Sequence, residues 1–117
     1  MAVRNEPFFD SDGDNTAQAM VAGQGHLLYL HVVNPNTAQA FIQFFDTAAA
    51  DVIVGTTTPI LSFLVPPGDG TNSGAFEQDW GPDGIEFDMA ITYACATTAT
   101  GNGDPTTGLT VSAVTGR

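Results

Sequence analysis

Apolar residues along this chain alternate with polar ones far more often than they recur at helical spacing, and no long segment keeps apolar positions at i, i+3, i+4 and i+7. Gly25 opens a strand in which Leu28, Leu30 and Val32 point one way while Leu27, Tyr29, His31 and Val33 point the other. It stops at the turn signal Asn34-Pro35-Asn36. Residues 40–46 form a second strand, with Phe41, Gln43 and Phe45 on one face and Ile42 and Phe44 on the other. Both strands carry apolar residues on both faces, which predicts central strands with one side on the core and the other against a loop or a partner.

Residues 48–54 are ambiguous: Ala48-Ala49-Ala50 suits a helical turn, and Val52-Ile53-Val54 suits a short strand. Pro59 and Pro66 bracket a strand over 60–65, where a missing N–H is tolerated. After a Gly/Asp/Asn loop at 68–74 comes a short strand at 75–79 and a turn at 80–84. Residues 85–93 alternate most cleanly: Ile85, Phe87, Met89, Ile91 and Tyr93 share one face, and Glu86, Asp88, Ala90 and Thr92 the wet one. A Thr/Gly-rich loop at 97–107 leads to a last strand at 109–114. Six to eight short strands without a helix predict an all-β, antiparallel sandwich or barrel. Residues 1–24 read differently, as an N-terminal arm (1–15) followed by an edge strand at 17–22, leaving 25–117 as one β-sandwich domain.

Composition narrows function more than fold. The 117 residues suffice for one core, and 43% hydrophobic against 13% charged residues marks a chain that folds. Thirteen acidic residues face two arginines, Arg4 and Arg117, with no lysine, for a net charge of −11. That balance argues against binding nucleic acid, which needs cations to displace phosphate counterions, and against an anionic membrane surface. No apolar run is long enough to span a bilayer, and the N-terminus lacks a signal-peptide pattern. A lone cysteine, Cys95, forms no internal disulfide, which implies synthesis in a reducing cytoplasm.

Candidate chemistry is sparse. Asp10, Asp12 and Asp14 alternate as in the first half of a calcium loop, but Asn15 stands where the EF-hand wants glycine and Val21 where it wants a bidentate glutamate. A solvated acidic loop is the simpler reading, and no metal or other cofactor is expected. His26 and His31, at odd spacing on one strand, fall on opposite faces unless a bulge lies between them. Glu86 and Asp88 share a strand face about 7 Å apart, a weak echo of a glycosidase pair without the mass for a deep cleft. No serine lies in Gly-x-Ser-x-Gly, and Cys95 has no cation nearby to make it a thiolate. The chain therefore reads as non-enzymatic. Pro7, Phe8 and Phe9 are the partner-binding candidates, being apolar and outside the sandwich pattern.

One resemblance bears on role. The order Thr37-Ala38-Gln39-Ala40-Phe41-Ile42-Gln43-Phe44-Phe45-Asp46, then Gly55-Thr56-Thr57-Thr58-Pro59-Ile60-Leu61-Ser62-Phe63-Leu64-Val65-Pro66, then Gly84-Ile85-Glu86-Phe87 and a Thr-rich loop before the last strand, resembles small jelly-roll-like β-sandwich virion proteins of tailed bacteriophages. The resemblance implies a capsid decoration or cement protein, made in the host cytoplasm and carried on the capsid surface of the virion. It also implies a homo-oligomer, a trimer, that binds the major capsid protein. A glycan-binding module of a phage fibre, or a carbohydrate-binding domain, is the alternative, with Trp80 and Tyr29 as its aromatic platform.

Overall fold

The computed structural model describes residues 5–117, which form nine strands and one short 3-10 turn, Ala49–Asp51. The strands are β1 (Asn5–Gly13), β2 (Gln18–Val21), β3 (Gly25–Asn34), β4 (Ala40–Phe45), β5 (Leu61–Val65), β6 (Gly74–Asp79), β7 (Ile85–Phe87), β8 (Ile91–Ala96) and β9 (Leu109–Gly116). One sheet runs β1-β9-β3-β6, with β7 also paired to β3; the second runs β2-β8-β4-β5. Every pairing is antiparallel.

The connectivity has a simple logic. The pairs β4–β5, β3–β6, β2–β8 and β1–β9 are successive rungs of one long hairpin whose tip is the connection between β4 and β5. Rolling that hairpin lays β9 on β3 and β8 on β4, which stitches the rungs into a five-stranded and a four-stranded sheet. This is the jelly-roll form of the all-β sandwich. The described residues make a slab of 46 × 29 × 18 Å, the thickness of two sheets packed face to face. Between them lie Leu27, Leu30, Val32, Val111 and Leu109 from the first sheet and Ile42, Phe44, Ile91, Tyr93 and Cys95 from the second. Phe87, fully buried, meets Phe44 at 6.2 Å between ring centroids.

Three local readings of the sequence are corrected by the structure, and one left open is resolved. Residues 5–13 of the presumed arm are β1, a full strand paired to β9 from Asn5–Gly116 to Gly13–Leu109. They escaped notice because the strand has no regular apolar period: Phe8 is its one large inward side chain, and Glu6 and Asp10 share its half-buried positions. Residues 1–4 of that arm lie outside the described residues. The edge strand expected at 17–22 is present as β2, at the margin of the second sheet.

β3 bulges at Leu28, because Leu27 pairs with Thr115 and Tyr29 with the adjacent Val114. The extra residue turns Leu27 inward with Leu30 and Val32, and leaves His26, Tyr29 and His31 together on the outside. The regular alternation of 85–93 breaks in two, with β7 in the first sheet and β8 in the second. Between them the chain turns the corner of the sandwich, exposing Met89 and burying Ala90 and Thr92. The Asp46 carboxylate makes the corner tenable by accepting the N–H groups of Asp88 (3.0 Å), Met89 (2.7 Å) and Ala90 (3.3 Å). Finally, the open reading at 48–54 resolves to the helical turn, a 3-10 turn at 49–51, and 52–54 is not a strand.

Candidate functional site

The two outer faces of the sandwich differ. At the centre of the second sheet the outward side chains Gln43, Phe45, Thr92, Ala94 and Ala96 are buried, because the connections flanking that sheet fold over it, whereas at the β5 margin Leu64 is 45% exposed. Gln43 Nε2 donates to the carbonyls of Thr98 and Gly101, Ser62 Oγ to that of Ala99, and Thr92 Oγ1 to that of Thr47. This explains the two-sided apolar character of 40–46: one side is core and the other lies under the chain's own loops. Gln43 Oε1 is buried there without a hydrogen-bond partner.

Among the described residues nothing comparable roofs the first sheet. Every outward side chain of β1, β9, β3 and β6 keeps some exposure, Gly116 alone being buried on that face. Register sets these residues in two rows across the sheet: Phe9, Ser112, His31 and Glu77 in one, and Pro7, Val114, Tyr29 and Asp79 in the next. Phe9 is 67% exposed. Pro7 is also exposed, and its missing N–H is harmless because β1 is the outermost strand. Tyr29 donates its hydroxyl to the Glu77 carboxylate. That hydrogen bond, with smaller contributions from burial and from the charges of Glu77 and Asp79, holds the phenol above its ordinary value. His26 lies 3.9 Å from Glu86 on the same outer face.

Of the three partner-binding candidates, the structure places Pro7 and Phe9 outward and Phe8 inward. Phe8 packs against the core and meets Tyr93 edge-on, with centroids 5.5 Å apart. Asp10, also inward, accepts the Tyr93 hydroxyl. Burial first, then Asp10, pushes Tyr93 well above the normal phenol range. Burial, with Asp10 and Asp14 adding, pushes the Cys95 thiol up to about 12, so it stays protonated near neutral pH.

The remaining candidates are dispersed. Asp10 turns to Tyr93 and to the Asp12 N–H, whereas Asp14 accepts the N–H of Thr16. Among the described residues, no three His, Cys, Asp or Glu side chains converge as a metal site. The bulge in β3 does place His26 and His31 on one face, but each lies beside a different glutamate, His31 being registered against Glu77. Glu86 projects from β7, while Asp88 belongs to the corner held by Asp46. Trp80 turns toward Phe63 of the second sheet (5.7 Å), and Tyr29 faces out from the first, so the two rings do not form one platform. The best-defined hollow, about 30 Å³, is lined by residues including Asn36, Gln39, Thr97 and Pro105. It is far smaller than the usual small-molecule site of roughly 300 Å³ or more.

Sequence reasoning missed Glu77 and Asp79, which join Phe9 and Pro7 only through strand register across three neighbours. Their i, i+2 spacing on a short strand was the one available signal. No family, curated protein or solved structure matches this chain.

Proposed function

We propose that this chain is a non-enzymatic structural protein of a bacteriophage virion, a capsid decoration or cement protein. In this reading it assembles as a homotrimer on the shell and binds the major capsid protein. The observation that carries the reading is the pair Pro7 and Phe9, held outward side by side on a marginal strand at the edge of a solvent-facing sheet, whereas the other exposed large apolar side chains, Ile53, Ile60, Leu64 and Met89, lie on connections and on β5. A rigid apolar anchor at a sheet margin is what docking to a larger surface requires. Phe8, which serves the core, drops out of the docking set. The jelly roll is compatible with such a role but is shared by many unrelated ones, so the argument rests on the surface. Net charge of −11 keeps free copies apart at the high concentrations that a many-copy virion component reaches.

The test is to mix the purified protein with undecorated capsids, tails and fibres from particles lacking it, and to sediment each. Saturable co-sedimentation with capsids alone is expected. Binding confined to tails or fibres would relocate the role, and turnover of a small compound by the isolated protein would overturn it.

A further inference from the structure

We infer that the bare outer face of the first sheet is the docking face, and that its occupant is a lysine- and arginine-bearing protein surface rather than a second copy of this chain. The inference deepens the virion reading and rests on it for the identity of the partner, but its chemistry is argued from the face itself.

The face has an apolar half and an acidic half. Pro7 and Phe9 on β1 lead across Val114 of β9 to Tyr29 of β3, and beyond them Glu77 and Asp79 project from β6. Glu86 of β7 lies further along the same side, beside His26. The carboxylates at 77, 79 and 86 are exposed. Tyr29 orients Glu77 through its hydroxyl, which leaves that carboxylate capacity for another donor. Among the described residues the one arginine, Arg117, is engaged by Glu6, 3.5 Å away.

Two copies meeting through this face would bring like charges together without a lysine on either side to offset them. A basic partner reverses that balance. Its cations would meet Glu77, Asp79 and Glu86, and apolar or guanidinium groups could settle on Phe9 and Tyr29. The opposite face of the sandwich is largely occupied by the chain's own loops, and where it opens, at Leu64 and Phe41, the pairing sets no carboxylate beside the apolar side chains.

The absence of lysine supplies a discriminating experiment. A carbodiimide joins carboxylates directly to amines, and the sequence of this chain contains no lysine. Cross-links from side-chain carboxylates to lysine therefore report a different protein. Capsids, tails and fibres lacking the chain are each mixed with it, cross-linked and mapped by mass spectrometry, alongside Phe9→Ser. Phe9 is too exposed for that change to threaten folding, and circular dichroism with a thermal melt checks this.

The expected result is cross-links from Glu77, Asp79 or Glu86 to partner lysines. Binding should weaken about tenfold in Phe9→Ser and fall as salt rises through roughly 0.1 to 0.5 M. The same cross-links to tails or fibres would support the docking face while sinking the capsid assignment. The inference is overturned by cross-links confined to Asp51, Asp69 or Asp104, by Phe9→Ser binding as well as wild type, or by absence of binding to all three components. A wild-type oligomer that Phe9→Ser converts to monomer would overturn it too, because the face would then belong to a second copy.

Discussion

Replacing Phe8 by alanine removes the ring that meets Tyr93 edge-on. We expect a loss of about 2 kcal/mol in urea unfolding, less than for a fully buried phenylalanine because Phe8 is half-exposed. The same change at Phe9 should leave stability within about 0.5 kcal/mol. Equal effects at the two positions would contradict the orientation of β1. Cys95 carries a second expectation. Its folded thiol lies at about 12, against an ordinary 9.0, so the folded state holds the proton more tightly than the unfolded chain. Stability from this source is intact below pH 9 and declines as pH climbs toward 12; Tyr93, displaced upward as well, acts in the same direction. A Cys95→Ala variant followed from pH 8 to 11 should show a shallower alkaline decline than wild type, whatever its absolute stability.

Among the elements, the corner between β7 and β8 depends on one carboxylate. Asp46→Ala leaves three backbone N–H groups without their acceptor, and we expect a loss of about 1–3 kcal/mol together with faster amide exchange at residues 88–90. Burial alone would raise the Asp46 pKa, but the three N–H donors outweigh it and hold the group below its ordinary value. Its contribution is therefore present above the unfolded-state pKa of about 4 and lost as pH falls through the folded value. Asp46→Asn should flatten that acid limb.

The same corner shows where sequence reading stops. Ile85 to Tyr93 alternates without a flaw, yet the strand is cut because its two halves bury their apolar residues in different sheets, and only the distant Asp46 makes the cut affordable. The strands at 40–45, 61–65, 74–79 and 109–116 were legible, each having enough local alternation or bracketing by Pro and Gly. β1 was not, since its partner lies more than a hundred residues away and its inward positions are largely polar. Of the candidate surface, Pro7 and Phe9 were legible from composition, whereas Glu77 and Asp79 became neighbours only through the register of β1, β9, β3 and β6.

For the whole molecule, 13 carboxylates on a slab 18 Å thick repel one another with almost nothing to offset them. We expect the melting temperature to rise as sodium chloride is raised from about 10 to 500 mM, because screening relieves the self-repulsion of the compact state more than that of the expanded chain. A flat or falling response in scanning calorimetry would mean that local pairing dominates over net charge. The same screening should weaken docking to a basic surface, so the salt that favours the fold works against the contact.

In the rolled hairpin the first and last described strands are partners: Asn5 sits across from Gly116, a spacing of roughly 5 Å between their α-carbons. The backbone is in effect a nearly closed loop, and a short glycine bridge between those positions would complete it. Reopening such a ring within the exposed connection at 69–73 should yield a circular permutant with both sheets intact, its new ends moved away from Pro7 and Phe9.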